Sequence, residues 1–200
     1  MSPFEAEDRL DMADFLKSAP IVDVVILLGL LAALLLGVMQ GAIRRILGIM
    51  SIVLAFLVAA NLRDTLGDYL AQNWRQFDLE YNRLIAFSVA FSVGVVISSV
   101  VIQGFYKRTE IYAKHPIVDD VVGGLLGLAQ GILLLIVAVV IFDSSVLPSE
   151  QSGDVSQLRY AHDLIVNQSH IAGAIRDIVA PTFVHLFSFL LPSDLVSLFP

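Results

Sequence analysis

Cysteine is absent from this chain of 200 residues, and charged residues make up only 16% of it. The absence of cysteine excludes disulfides, thiolate zinc sites and a cysteine nucleophile. The four histidines form no HExxH motif, and no glycine-rich stretch ends in the GK[ST] of a phosphate-binding loop. A net charge of -7 offers no basic surface for nucleic acid. We therefore expect no metal, no cofactor, no nucleic-acid partner and no enzymatic activity.

Apolar residues are abundant instead, at 57% of the chain with a mean hydropathy of +0.81. A single soluble domain of this size does not bury so much apolar material, so a lipid bilayer must solvate it. Four runs free of Asp, Glu, Lys and Arg cover residues 24–43, 46–62, 84–106 and 121–142. A bilayer core about 30 Å thick needs about 20 helical residues, and lipid leaves only the helix for such runs. The sequence predicts an all-α integral membrane protein with four transmembrane helices.

Three segments follow from this pattern. An acidic N-terminal segment covers residues 1–20, the membrane domain covers 21–143, and an amphipathic C-terminal tail covers 144–200. The acidic N-terminus does not resemble a cleavable signal, so the first span is expected to stay as an anchor. Apolar residues at helical spacing predict a surface helix within 62–83 and further amphipathic helices in the tail. The apolar run 178–191 is too short to span and predicts an interfacial or re-entrant segment.

Orientation is predicted from the basic residues in short connections. Both connections on one side of the membrane are rich in them: Arg44, Arg45, Lys107, Arg108 and Lys114. Such loops favour the cytoplasmic side, which places both termini outside the cytoplasm. The opposite orientation stays open as the alternative. Anionic lipid contact is plausible at these basic loops.

Small residues recur at every fourth position in the predicted helices. In lipid, helices associate by close backbone approach, which small residues allow. The sequence therefore predicts a compact bundle with glycine-zipper packing. The predicted packing residues are Gly29, Ala33, Gly37 and Gly41 in helix one, Ala86, Ala90 and Gly94 in helix three, and Gly123, Gly127 and Gly131 in helix four.

Polar residues at or near membrane depth are the candidates for function. Carboxylates that precede helices one and four are favourable at helix N-termini, but their matching positions also suggest an internal repeat, with helices one-two and three-four as related hairpins. A serine face on helix three predicts either interhelical contacts or a hydrated path. The candidate polar residues are Asp23, Gln40, Ser88, Ser92, Ser99, Gln103, Asp119, Asp120 and Gln130.

Two spacings in the chain resemble the colicin V production protein (CvpA) family. Asp23 precedes Gly41 by 18 residues with two arginines just beyond, and Asp119 precedes glycines four, eight and twelve residues on. The likeness covers roughly residues 20–145. It implies a four-helix protein of the bacterial inner membrane, linked to production or export of a peptide toxin and to envelope function. Gln40 and Gln130 depart from the family's usual basic residues, and Asp120 stands where a basic residue often follows. The paired change suggests that the two glutamines bond each other across the bundle.

The sequence therefore leaves two functions open. The first is a non-enzymatic scaffold or accessory protein that contacts the lipid bilayer and binds a protein partner, or a second copy, through its zipper faces or its tail. The alternative is a channel or transporter component with a polar path along helix three.

Overall fold

The computed structural model describes residues 20–74, 77, 79–105, 116–146 and 160–199. Four long helices dominate the described part of the chain: α1 Ile21–Gln40, α2 Ala42–Asn73, α3 Leu79–Phe105 and α4 Pro116–Val146. Each is long and apolar enough to cross a membrane. The expected all-helical architecture with four such helices is confirmed, whereas predicted segment 1–20 lies almost wholly outside the described residues.

Gly41 is the single residue between α1 and α2. It has a φ of 76°, the one positive φ among the described residues, in a region that glycine adopts without steric cost. α2 therefore begins directly at Ala42. Arg44 and Arg45, expected in a connecting loop, belong to the first turn of this helix.

α2 is longer than the sequence indicates, because it runs without a break to Asn73. The prediction ended the span at Leu62 and placed a separate surface helix in 62–83. The structure corrects this: Arg63, which resembled an interface marker, has a side chain only 6% exposed and pairs with Asp64 and Asp194. Since its charge is neutralised inside the fold, the helix needs no aqueous boundary there.

The helices associate as two pairs, α1 with α4 and α2 with α3, and α1 and α2 make few contacts beyond their shared connection. This differs from the suggested hairpins of helices one-two and three-four. Beyond the Gly41 turn α1 has little contact with α2, whereas it meets α4 through small residues. Two ends of the bundle are distinguished below: the Gly41 end, where α1 ends and α2 and α4 begin, and the tail end opposite.

The C-terminal tail, here residues 160–199, folds onto the tail end as short helical pieces. These are a π-helical turn Asp163–Asn167, α5 His170–Ala174, a second π-helical turn Ile175–Val179, α6 Ala180–Leu186 and α7 Ser193–Ser197. Val184 and Leu195 are fully buried in the same apolar cluster as Phe56 of α2 and Phe87 of α3. The rings of Phe56 and Phe183 lie 5.4 Å apart. The tail, including the predicted interfacial segment 178–191, thus supplies part of the bundle core.

Candidate functional site

The closest approach in the described bundle is the backbone contact between α1 and α4. A β-carbon at Gly127 would lie 2.8 Å from Cα of Gly37 and closer still to the carbonyl oxygen of Ala33. One at Gly123 would lie 2.6 Å from the Gly37 carbonyl oxygen, and one at Gly131 3.0 Å from the Ala33 β-carbon. Only glycine fits between these backbones, as expected for close helix packing in lipid.

Other predicted packing residues lie elsewhere. Gly94 of α3 meets α2, where its β-carbon would stand 3.1 Å from that of Ala55. Ala86 is buried and Ala90 packs against the same core. Gly29 is exposed, and a β-carbon there would have no neighbour within 4 Å. The stripe on α1 therefore contributes to the α4 contact from Ala33 onward, and Gly29 takes no part in it.

At the Gly41 end, Asp119 joins α4 to the start of α2. Its Oδ1 accepts a hydrogen bond of 2.9 Å from the backbone N–H of Ala42. A β-carbon at Gly41 would lie 2.6 Å from the other carboxylate oxygen. Asp119 thus stabilises the N-terminus of a second helix as well as being near the start of its own. Its neighbour Asp120 is exposed.

Gln130 pairs with Arg45 rather than with Gln40. Nη1 of Arg45 donates to Oε1 of Gln130 at 2.8 Å, while Gln40 is exposed. The proposed bond between the two glutamines is therefore not formed. A β-carbon at Gly48 would lie 2.9 Å from Nε2 of Gln130, so the amide rests directly on this glycine.

Arg45, which the sequence placed only among the basic loop residues with plausible lipid contact, is a specific functional candidate in the structure. It is only 7% exposed, and both its Nε and its Nη2 are buried without a hydrogen-bond partner. The available signal was the three-residue spacing of Ala42, Arg45 and Gly48, which places them on one helical face once α2 is known to start at Ala42.

At the tail end, Asp23 of α1 holds the beginning of α5. Its carboxylate accepts a hydrogen bond from the Ser169 hydroxyl and bonds of 3.2 Å each from the backbone N–H groups of His170 and Ile171. Ser169 in turn accepts a bond of 3.0 Å from the N–H of Ala172. Asp23, predicted to favour its own helix N-terminus, therefore also stabilises that of a tail helix.

Asp143, near the end of α4, is completely buried and binds the tail with both oxygens. Oδ1 lies 2.6 Å from Nε2 of His162, and Oδ2 accepts from Nε of Arg176 at 3.0 Å. The Phe142 ring stacks on the His162 ring with centroids 6.0 Å apart. No spacing in the sequence connects these residues, because the partners lie 19 and 33 positions away.

Arg63 of α2 makes the third polar contact with the tail. Its Nη2 donates to Oδ2 of Asp194 at 2.6 Å. Nearby, Nδ2 of Asn61 donates to the carbonyl oxygen of Leu190 at 2.9 Å. The tail is consequently bound to α1, α2 and α4, so it bridges the two helix pairs. We call the groups of Asp23, Asp143 and Arg63 with their tail partners the tail contact.

The serine face of α3 lies at the surface of the bundle. Ser92 is exposed, and its hydroxyl donates to the carbonyl oxygen of Ser88 at 2.8 Å. Ser88 and Ser99 are half-buried. The side chain of Gln103 lies outside the described residues. Within one chain, these residues do not form the lining of an internal passage.

The described residues contain no group of three or more His, Asp or Glu side chains placed to hold a metal ion. The polar groups that do converge, those of the tail contact, bind one another by hydrogen bonds and ion pairs, and only Nη1 of Arg63 among them is buried without a hydrogen-bond partner. Their arrangement serves to attach the tail.

The family model described as Colicin V production protein matches residues 22–188. No curated protein and no solved structure matches the chain. The matched region extends past the 20–145 expected from the motifs and includes most of the tail, with Asp23, Asp143 and Arg176 inside it. The chain belongs to the colicin V production protein family and has the four apolar helices of a multi-pass membrane protein.

Proposed function

We propose that this protein is a non-enzymatic scaffold or accessory protein of the bacterial inner membrane, required for production or export of a peptide toxin such as colicin V and for envelope function. Membership of the family supports the membrane role. The geometry supports a scaffold because the converging polar groups are consumed in contacts that hold the fold together.

The tail contact is the observation that carries this proposal. Asp143 is fully buried, and its two oxygens bind two tail side chains. Asp23 binds the tail from α1, and Arg63 binds it from α2. Buried polar groups that are bonded on several sides in this way favour one arrangement of the elements that contribute them. A bundle so fixed offers a constant surface to a partner, which is the physical requirement of a scaffold.

The partner surface that we propose is the exposed apolar part of the tail. Leu186 is 66% exposed and Phe189 is 78% exposed, whereas the neighbouring Val184 and Leu191 are buried in the core. The glycine surfaces of α1 and α4 are already used within the chain. Exposed apolar residues on a segment outside the four spans are typical of a site for another protein.

Both termini are proposed to lie outside the cytoplasm, with the Gly41 end inside. Arg44 and Arg45 lie at the Gly41 end, in the first turn of α2, which is where the positive-inside rule expects cytoplasmic cations. The tail would then meet its partner on the extracytoplasmic side.

The alternative is a channel or transporter component, for which the exposed Ser92 on α3 is the supporting feature. Because that face is outward, a polar path would need neighbouring chains to enclose it. Solute flux through the purified protein separates the two functions.

The experiment uses a bacterium that exports a peptide toxin and from which its own family member has been deleted. The wild-type chain should restore toxin export, and a chain with Leu186→Ser and Phe189→Ser should not, although it inserts normally. Ile178→Ser, at a tail residue that is 68% exposed, is the matched control and should restore export if the partner surface is confined to the former pair.

Purified wild-type protein in liposomes should carry no solute flux above that of empty liposomes. Selective flux that is lost in Ser92→Val would overturn the scaffold in favour of the channel. Full export by the double variant would show that the partner does not use the tail.

A further inference from the structure

Arg45 carries a buried positive charge without a negative partner among the described residues. Its one side-chain hydrogen bond joins Nη1 to the neutral amide of Gln130 at 2.8 Å. Nε and Nη2 are buried and make no hydrogen bond. A guanidinium in such a place is unfavourable unless an anion accompanies it, because burial removes the water that would otherwise solvate the charge.

The carboxylates of Asp119 and Asp120 do not serve as the anionic partner of Arg45. Oδ1 of Asp119 accepts from the N–H of Ala42, and its Oδ2 faces Gly41. Asp120 is exposed. Among the described residues, the acidic groups at the Gly41 end are therefore directed to the helix start or to the outside, and Arg45 retains its charge for another ligand.

The unused edge of Arg45 has the geometry of an anion receptor. Nε–H and one Nη2–H lie in the guanidinium plane and point in the same direction from one edge, so they are placed to donate to two oxygens of one phosphate or carboxylate. The first turn of α2 adds backbone N–H groups and the positive end of the helix dipole.

We propose that the free edge of Arg45 and the first turn of α2 form a binding site for a phosphate-type anion at the Gly41 end of the bundle. The ligand is either the headgroup of an anionic phospholipid from the adjacent leaflet or free phosphate from solution. Both nitrogens lie below the protein surface, so binding requires a local displacement. We expect this displacement at Gly41, the single non-helical residue between α1 and α2.

The test follows binding to the detergent-purified full chain. Phosphatidylglycerol, phosphatidylcholine and inorganic phosphate are added separately, and the thermal unfolding midpoint and the lipids retained in native mass spectrometry are measured. Phosphatidylglycerol should raise the midpoint and be retained at one molecule per chain, whereas phosphatidylcholine should do neither. Stabilisation by inorganic phosphate without retained lipid identifies the soluble anion as the ligand.

Three variants decide whether Arg45 is responsible. Arg45→Lys keeps the charge but loses the two-donor edge, so the dissociation constant should rise about tenfold or more, as expected when a charge-assisted hydrogen bond is lost. Gln130→Glu supplies an internal carboxylate to Arg45, so it should raise the midpoint without ligand and weaken the response to the anion. Arg44→Gln, at the exposed neighbour, is the control and should keep specific binding.

Equal losses in Arg44→Gln and Arg45→Lys would overturn the site, because they would indicate attraction to a basic surface in general. Unchanged binding by Gln130→Glu, or no response of the wild-type protein to either anion, would overturn it as well. If Arg45→Lys fails to fold, the Gln130→Glu variant alone decides, since it leaves Arg45 in place.

Discussion

Two glycines on the paired helices α1 and α4 should respond oppositely to the same substitution. A β-carbon at Gly127 would meet the backbone of Gly37 at 2.8 Å and the Ala33 carbonyl at a shorter distance still. Backbone atoms cannot rotate away, so the helices must separate. A β-carbon at Gly29 would meet nothing within 4 Å. Gly127→Ala should therefore destabilise the bundle, and Gly29→Ala should not.

The magnitude follows from two opposing effects. Overpacking of a closely packed contact costs about 1–3 kcal/mol. Replacement of glycine by alanine in a helix gains up to about 1 kcal/mol in water, through lower backbone entropy in the unfolded chain. Gly127→Ala should thus lose about 1–2 kcal/mol net, and Gly127→Leu more, because its larger side chain drives α1 and α4 further apart. Gly29→Ala should be neutral or slightly stabilising.

The assay is equilibrium unfolding of the purified variants in mixed detergent micelles, followed by circular dichroism. The difference in sign between the two alanine variants is the decisive result, because both replace glycine within a membrane-spanning helix. Equal stabilities of Gly127→Ala and Gly29→Ala would refute the packing role of the α1–α4 contact. Leu126→Ile, on the same helix at a position without such a contact, serves as a second control and should change little.

Two further predictions concern the tail end and the topology. Asp143→Ala should lower the free energy of unfolding by about 3–5 kcal/mol in the same assay, since it leaves His162 and its neighbours buried without their carboxylate. Asp120→Asn, at an exposed acid of the same helix, is the control and should change it by no more than about 0.5 kcal/mol. Similar losses in both variants would contradict the importance of the tail contact. For the topology, single cysteines are labelled in intact cells with a membrane-impermeant thiol reagent. Reaction is expected at Ser2→Cys, Gln72→Cys and Ser156→Cys, and not at Ala113→Cys. Labelling at Ala113→Cys alone would reverse the proposed orientation.

The spans could be predicted because a bilayer imposes its requirement locally. Each helix must be apolar over about 20 consecutive residues, which is visible without knowledge of any neighbour. The end of α2 was misplaced for the opposite reason. Arg63 is compatible with a buried position because it pairs with Asp64 and with Asp194, and the latter partner, 2.6 Å away, stands 131 positions along the chain.

The candidate site could likewise be predicted only in part. The small-residue spacing indicated that helices approach closely, and Gly37, Gly123 and Gly127 do so. It could not separate Gly29 from them, because the same spacing continues past the point where the helices diverge. The pairing of Gln130 with Arg45 was equally hidden, since it depends on the start of α2 at Ala42 and on α4 lying beside it.

The tail contact involves the same two helices, α1 and α4, that pack against each other through glycine. Asp23 and Asp143 stand on the same two helices that the glycine contact brings together, and tail residues 162–176 bind both carboxylates. A change in the distance between α1 and α4 must therefore alter the separation of the two groups that hold the tail. Since Val184 and Leu195 beyond them are fully buried against the α2–α3 pair, the displacement is transmitted to the second helix pair. The observed position of the tail thus depends on the packing of all four helices, and the partner that we propose for its exposed residues would find that surface only in an assembled bundle.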